Sequence, residues 1–507
     1  MIIMNRYIKN SILCFIVFHK LAFSEDLINV NQLENSLNNA GSVQIIESEA
    51  SFKVLLDFAA LINNSEIPLD RDLKWFAPGC YDFELYKSWA NKYSEGTNII
   101  KRASSKRGFG LPYGKSKIDL WRKLNFQAEI ISSGSLGTKK FGYQNAIDLL
   151  NRYAVLTSWE FFKDKKGDKG LNLIFSMIKI NRSIAEREFL IEKKESLKAI
   201  SGLCESARDM LYLYGSSVEA SVLRKLAHDN RFIFENPRGI DLPYAEYLVA
   251  KNILKGIYDR SAMPNQLFSI ELSKRTSSSN PIKRFGARRF WDLLSKEQLV
   301  ESGDSQVLKM TSAYDEVARQ WKEPKSSPMR KMRKAVWFID SLNKVRFAPV
   351  HLLMKDIRQL FLERDISKTQ LNGLISAMGL VAYKNKLGKY PDRIKKMYSM
   401  VLPKTADVDW MRDDLKGFRY ALVGKEGDGD PDIRGGRIRL ILSGGIVYDG
   451  QELTLPKRGN PLLFSVGTDQ LDGNMTLHSI EDVDGADVLL WPPVVGLIRD
   501  ENILDQY

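Results

Sequence analysis

The sequence predicts an α+β protein, with a mainly α-helical body and a C-terminal antiparallel β-sheet packed on a helix. Two observations lead to this prediction. From Tyr143 to about Leu387, apolar residues recur at spacings of three and four, which is the period of helices that bury one face. After Gly388 the composition shifts toward glycine, aspartate and proline, with short alternating runs that are typical of strands joined by hairpins.

The helical body is expected to be an array of packed antiparallel helices. The Lys-Lys-Gly-Asp break at residues 165–168 separates two helical patterns and predicts the turn of a helical hairpin. No fixed period recurs, which argues against a regular repeat protein. We therefore divide the chain into a signal peptide (1–24), a mixed N-terminal region (25–140), a helical body (141–366) and a helix followed by a β-rich C-terminal domain (367–507).

The tail contains three short runs that predict strands, Ile438–Leu442, Ile446–Tyr448 and Leu462–Val466. Tight turns are expected at residues 443–445 (Ser-Gly-Gly) and at Asp449–Gly450, because glycine and aspartate tolerate the positive φ that such turns need.

The first residues have the order of a secretory signal. Arg6 and Lys9 precede an apolar stretch that ends near Phe18, and small residues lead to a cleavage site near Ser24–Glu25. The stretch is shorter than the ~20 apolar residues that span a bilayer. We therefore expect a periplasmic or extracellular protein with no transmembrane segment in the mature chain.

The composition allows a large hydrophobic core and argues against disorder, since 44% of the 507 residues are hydrophobic and 27% are charged. Only Cys80 and Cys204 follow the signal, which excludes a disulfide framework and a four-cysteine zinc site. These two cysteines could form one bridge or remain as two half-buried free thiols.

Charge is unevenly distributed. The net charge is +13, but residues 405–507 hold 19 acids and 10 bases, so the tail is acidic and the body is strongly basic. Two basic clusters interleave with aromatic residues, a pattern that is more typical of amphipathic helices with buried aromatics but also suits anionic envelope polymers or lipids. The bases are Lys283, Arg284, Arg288, Arg289, Arg330, Lys331, Arg333 and Lys334. An exported chain is not expected to bind nucleic acid.

No catalytic motif stands out. The stretch from Gly108 to Ser116 resembles a phosphate loop, but Phe109 stands where the first glycine is required and no strand precedes it, so no nucleotide cofactor is expected. Three histidines beyond the signal leave little material for a catalytic triad or a histidine-rich metal site. We therefore predict a non-enzymatic binding or assembly protein of the bacterial envelope. The alternative is a hydrolase that acts on an envelope polymer through paired carboxylates in the helical body.

The acidic tail also contains a candidate calcium site. The Asp428–Asp432 loop does not fit an EF-hand, because Ile433 and Arg439 occupy the positions that need glycine and an acid. A second loop begins near Ser465 and holds several aspartates as far as Asp487. Carboxylates that converge with backbone carbonyls would give the oxygen-only shell that Ca²⁺ accepts.

Two stretches of the tail resemble the globular domain of the major pseudopilins of type II secretion systems. Residues 377–391 end in a Gly-x-Tyr-Pro turn, and Phe-Ser-Val-Gly-Thr-Asp at 464–469 is followed by Gly-Ala-Asp-Val at 485–488. The resemblance implies a calcium site formed by the Val466 carbonyl and the Asp469 and Asp487 carboxylates, with the Ser465 carbonyl as a further candidate. The whole layout also resembles large exported bacterial proteins with a helical body and this tail, a similarity that implies no activity.

Overall fold

Helices dominate the computed structural model and β-strands are confined mainly to the tail, which confirms the α+β class. The structure describes residues 30–39, 44–62, 67–68, 71–114, 119–130, 140–234, 240–276, 286–322, 337–354, 357–398, 402, 407–412, 414–423, 437–442, 446–454, 459–467, 477–479, 486–502 and 504.

The structure describes the following helices, which we number in chain order. They are α1 (Val30–Asn38), α2 (Ser51–Ile62), α3 (Phe83–Asn91), α4 (Gly96–Ser104), α5 (Asp119–Lys123), α6 (Tyr143–Lys163), α7 (Gly167–Ala185), α8 (Leu190–Tyr214), α9 (Ala220–Asn230), α10 (Tyr244–Ile257), α11 (Leu267–Arg275), α12 (Ala287–Lys296), α13 (Gly303–Lys322), α14 (Phe338–Ser341), α15 (Ala348–Leu353), α16 (Arg358–Leu387) and α17 (Val494–Asp500). The hairpin predicted at residues 165–168 is confirmed, because α6 ends and α7 begins on either side of a turn at Lys165, whose φ is +59°.

The strands are short. They are β1 (Ala128–Glu129), β2 (Lys140–Phe141), β3 (Arg419–Leu422), β4 (Arg437–Leu442), β5 (Ile446–Thr454), β6 (Pro461–Ser465), β7 (Leu477–Ser479) and β8 (Val488–Trp491). The tail holds one antiparallel sheet of order β3-β6-β8 and a second sheet of order β5-β4-β7. In the second sheet β7 runs parallel to β4, so the predicted tail of antiparallel hairpins is only part of the arrangement.

The turn predicted at Asp449–Gly450 is wrong, because both residues lie inside β5. The register explains why turn-forming residues occur within a strand. Between its pairings with Arg439 and Ile441 of β4, β5 runs from Glu452 back to Val447, so four intervening residues oppose one. Glycine and aspartate suit such a bulge for the same conformational reason that they suit a turn. The turn predicted at residues 443–445 lies outside the described residues.

The long helix α16 is the centre of the molecule. It packs against α8 and α9 on one side and against β8 on the other, and its side chains from Ile366 to Tyr383 are buried on nearly every face. The buried residues include polar ones such as Thr369 and Asn372, which hydrogen-bond to Asp409 and to the Val408 carbonyl. The helix ends at Leu387, where Gly388 adopts a left-handed φ of +73° and its N–H bonds to the Lys384 carbonyl.

Close packing joins the tail to the body. A Cβ on Gly373 of α16 would lie 2.9 Å from the Leu490 side chain of β8, so glycine lets the sheet approach the helix directly. One continuous apolar core runs from Leu33 near the N-terminus to Leu504 in the tail. The predicted boundary between residues 366 and 367 falls within α16, and the division into three mature domains stays a prediction.

The two cysteines are free thiols, and both are buried. Burial raises the pKa of Cys80, and it raises the pKa of Cys204 to about 12. Both thiols are therefore protonated near neutral pH and weakly reactive. Among the helices that the structure describes, none combines the length and apolar character needed to cross a membrane.

Candidate functional site at the corner between two long helices

The most elaborate polar arrangement lies at the sharp corner between α7 and α8. Arg187 and Glu192, on either side of this corner, form an ion pair with 2.6 Å between Nε and Oε1, and neither residue is exposed. Two buried charges persist in a protein interior only where further hydrogen bonds satisfy them. The surroundings of the Glu192 carboxylate provide these bonds.

Both carboxylate oxygens of Glu192 accept bonds from tyrosines. The Tyr143 hydroxyl donates to Oε1 at 2.5 Å, and the Tyr113 hydroxyl donates to Oε2 at 2.6 Å. The Phe189 N–H also reaches Oε2, so Glu192 caps the first turn of α8. The carboxylate thus connects α6, α8 and the segment that contains Tyr113.

Arg187 completes the network. Its Nη1 donates to the Leu111 carbonyl at 2.5 Å, and its guanidinium lies 4.3 Å from the centroid of the Tyr113 ring. Burial alone would lower the pKa of Arg187, but the Glu192 carboxylate and the two tyrosines raise it. Burial and the negative charge of Glu192 raise the pKa of Tyr143 and Tyr113 as well, so both tyrosines are hydroxyl donors at neutral pH.

The segment that resembles a phosphate loop is the third side of this network. Phe109, Leu111 and Tyr113 are buried, and the chain between them is extended rather than helical. Sequence reasoning missed this role and did not single out Arg187, Glu192 or Tyr113. The available signal was the alternation of glycine or proline with large apolar residues from 108 to 113, which indicates a buried extended segment.

A concave pocket opens beside the same corner, between α10 and α13. We call it the tyrosine pocket, and its cavity volume of about 20 Å³ gives room for about one water molecule. Of its lining residues, Ala250, Met310 and Ile357 are buried, whereas Glu246, Tyr314 and Met354 are partly exposed. Its remaining lining residues are Pro243 and Tyr247.

Two tyrosine rings line the tyrosine pocket, and a third ring lies beside them. Tyr247 and Tyr314 stack with their ring centroids 4.6 Å apart, and Tyr244, which is 43% exposed, lies 5.8 Å from Tyr314. Burial and the negative charges of Glu188 and Asp241 raise the pKa of Tyr314.

Two hydrogen bonds connect lining residues of the tyrosine pocket to the start of α8 and to Lys251. The Leu190 N–H at the start of α8 donates to Glu246 Oε1 at 3.2 Å. The Lys251 ammonium donates to the Tyr247 hydroxyl, and the buried Lys193 ammonium donates to the Ala185 carbonyl. Burial lowers the pKa of Lys193 to about 8.

The structure brings two of the three predicted calcium ligands to the same end of the tail sheet. Ser465 of β6 pairs with Val488 of β8, so Val466 follows one strand where Asp487 precedes the other. Asp487 is fully buried, and its backbone pairs with β7. Asp469 lies outside the described residues, and the predicted site stays a prediction.

A histidine that sequence reasoning did not select lies next to Asp487. The Nδ1 atom of His478 accepts the Leu489 N–H at 2.9 Å, and the side chain is 3% exposed. Burial and the charge of Lys74 lower the pKa of His478 to about 3, so the imidazole is neutral and holds β7 against β8. Within the part of the chain that the structure describes, no group of three or more His, Cys, Asp or Glu side chains is arranged to hold a metal ion.

Two of the eight predicted basic residues lie on a described element. Arg288 and Arg289 are exposed in the first turn of α12, whereas Trp291 is 2% exposed and donates its indole N–H to Thr276. This helix therefore buries its tryptophan and presents its bases to solvent, as the amphipathic interpretation predicts. Lys283, Arg284, Arg330, Lys331, Arg333 and Lys334 lie outside the described residues.

Comparison with known proteins gives no relative: no family model, no curated protein and no solved structure matches this chain.

Proposed function

We propose that this chain is an exported, non-enzymatic binding or assembly protein of the bacterial envelope, and that its basic body binds anionic envelope polymers or lipid headgroups. The supporting observation is the geometry of α12. The buried Trp291 fixes the helix to α11, so the exposed Arg288 and Arg289 stand on a rigid element rather than on a loop. Guanidinium groups bind phosphate through charge and paired hydrogen bonds.

The character of the tyrosine pocket favours binding over the alternative of a polymer hydrolase. Paired-carboxylate hydrolysis needs two acids that face each other across the substrate. Of the described residues that line the pocket, Glu246 alone carries a carboxylate, and one of its oxygens accepts the Leu190 N–H. The other lining residues are tyrosine, methionine and apolar side chains, so the lining does not supply the second acid.

The proposed polyanion binding is tested by the double variant Arg288→Gln/Arg289→Gln. Its affinity for immobilised polyphosphate is expected to depend less steeply on salt than that of the unmodified protein. Two lost phosphate contacts lower the slope of log K against log salt by roughly 1.5. Binding is measured on the full-length protein across a salt series, and phosphatidylglycerol vesicles in a parallel series show whether a lipid presents the phosphate better than a polymer.

The matched control is Lys101→Gln/Arg102→Gln, which removes two exposed positive charges from the end of α4. This variant is expected to keep the original slope. An equal reduction in both double variants would mean that binding depends on total charge alone, and it would contradict a role for α12.

We further propose that Ca²⁺ stabilises the tail through the Val466 carbonyl, Asp469 and Asp487, as the resemblance to the pseudopilin domain implies. The juxtaposition of Val466 and Asp487 at the end of the β6–β8 pair supports this proposal. Gly467 has a left-handed φ of +71° and donates its N–H to the Ser465 hydroxyl, so the backbone turns at this point. Such a turn would allow carbonyl oxygens to converge.

Calcium is expected to raise the melting temperature of the full-length protein, and chelation is expected to remove the increase. A ligand that binds only the folded state adds about 2.7 kcal/mol at a hundredfold excess over its Kd. Asp469→Ala and Asp487→Asn should each abolish the difference between calcium and chelator, whatever their effect on basal stability. Asp430→Ala, in the loop that fails the calcium pattern, should retain it. A melting temperature that is insensitive to calcium in the unmodified protein would refute the site.

A further inference from the structure

One end of the helical body has the charge and the exposed apolar side chains of a surface that docks on an anionic membrane. We propose that this end lies on lipid headgroups, with its lysines beside the lipid phosphates and the Leu387 side chain inserted among the headgroups. We call this surface the lysine end, and its bases are Lys163, Lys165, Lys169, Lys386 and Lys389. The inference goes beyond the proposed binding at α12, since it concerns other residues and one ligand, a lipid surface.

The lysine end forms where three turns of the body meet, at residues 163–169, 215–219 and 384–389. Helices α8 and α16 run side by side in the same direction, and the Asn385 amide donates to the Gly215 carbonyl at 2.9 Å, just beyond the end of α8. The α6–α7 turn packs on the same place, since a Cβ on Gly167 would lie 2.5 Å from the Val218 side chain. Segments that are far apart in the chain therefore present their lysines at one end of the helices.

Positive charge is concentrated at these turns. They contain seven lysines and three acids, which are Asp164, Asp168 and Glu219. Lys166 pairs with Asp164 at 3.2 Å, and the Lys384 ammonium lies 4.8 Å from the centroid of the Tyr390 ring. The five lysines of the lysine end are exposed, and none of them forms an ion pair with a residue that the structure describes. Their charges are thus available to an external anion.

The type of base favours a lipid surface over a single bound phosphate. Arginine recognises individual phosphate groups through paired hydrogen bonds, whereas lysine is a flexible point charge. The three turns contain lysine and no arginine. Clusters of flexible positive charges are attracted to the negative surface potential of an anionic leaflet, which requires no fixed geometry of the phosphates.

Leu387 is the observation that distinguishes a membrane from a soluble polyanion. Its side chain is 43% exposed, and it lies between Lys386 and Gly388, which has a left-handed φ of +73°. A Cβ on Gly388 would meet no other part of the described chain within 4 Å, so this tip projects into open space. Leu213, at the end of α8, is also exposed. Apolar side chains surrounded by lysines are typical of interfacial anchors, because the apolar part enters the headgroup region while the ammonium groups stay with the phosphates.

The test is cosedimentation of the full-length protein with vesicles of equimolar phosphatidylglycerol and phosphatidylcholine. The unmodified protein is expected to bind these vesicles more tightly than pure phosphatidylcholine vesicles. Lys386→Gln/Lys389→Gln should lower the partition onto the mixed vesicles about 25-fold, roughly fivefold for each lysine lost. Leu387→Ser should lower it about fivefold through the lost apolar insertion, and it should leave retention on immobilised polyphosphate unchanged.

The matched control is Lys194→Gln/Lys198→Gln, which removes two lysines near the start of α8, roughly 25 Å along the helix from the lysine end. This variant is expected to keep the original partition. Equal weakening in the two double variants, equal binding to the two kinds of vesicle, or unchanged vesicle binding in Leu387→Ser would overturn the proposal. Arg288→Gln/Arg289→Gln tests α12 separately, so either proposal can fail while the other holds.

Discussion

Replacing Glu192 with alanine is expected to lower the free energy of unfolding by about 3–5 kcal/mol, because the change leaves the buried Arg187 guanidinium without its carboxylate. The hydroxyls of Tyr113 and Tyr143 lose their acceptor in the same substitution. Urea unfolding followed by circular dichroism, with the melting temperature as a second measure, checks this result.

The control for this prediction is Glu195→Ala, one turn further along α8. Glu195 is exposed, so its removal should change the free energy of unfolding by less than about 0.5 kcal/mol. If Glu192→Ala lowered the free energy of unfolding as little as Glu195→Ala, the network at the corner would make no net contribution to stability. A large loss for Glu192→Ala alone would identify the corner as a main determinant of stability.

The spacing of apolar residues predicted the individual helices and strands of this fold better than it predicted the contacts between them. The α6–α7 hairpin follows from apolar spacing and from the break at residues 165–168, which are local signals. The strand runs 438–442 and 462–466 also correspond to observed strands, because each is short and bounded by turn-forming residues. Asp449–Gly450 misled the prediction because a turn and a bulge demand the same backbone freedom.

The candidate site could not be predicted because its parts are far apart in the chain. Tyr113 lies 79 residues from Glu192, and Tyr143 lies 49 residues from it. No periodicity links a tyrosine in an extended segment to a glutamate in the first turn of a helix. The pocket likewise combines α10 with α13, and Glu188 of the α7–α8 corner acts on its Tyr314. Only the tertiary fold brings these groups together.

The position of α16 shows a further limit of local patterns. Its residues 377–387 continue the apolar pattern of the body, although we assigned them from the sequence to the helix of the C-terminal domain. In the structure one helix serves both parts, since it packs on α8 within the body and on β8 within the tail. A sequence pattern identifies a buried helix, but it does not say which partners share that helix.

A second buried ion pair attaches the last helix to the body. Asp209 of α8 and Arg499 of α17 form two bonds, of 2.8 and 2.6 Å, and Arg499 also donates to the Pro78 carbonyl. Asp209 is 1% exposed. Burial raises the pKa of Asp209, while Arg499 acts to lower it through hydrogen bonds and charge, and the bidentate geometry is that of an ionised pair.

Breaking this pair is expected to cost about 3–5 kcal/mol in Asp209→Ala, because the Arg499 guanidinium would remain largely buried without its partner. A double-mutant cycle with Arg499→Ala should give a coupling energy of about 1–3 kcal/mol, since the two side chains act as one unit. Hydrogen exchange should show faster opening of α17 in Asp209→Ala than in Asp500→Ala, which removes the acceptor of the Tyr212 hydroxyl on the exposed side of the same helix. Additive effects in the cycle, or equal exchange of α17 in the two variants, would mean that apolar packing alone retains the helix. A clear coupling would show that the tail is fastened to α8 by charge as well as by the shared core.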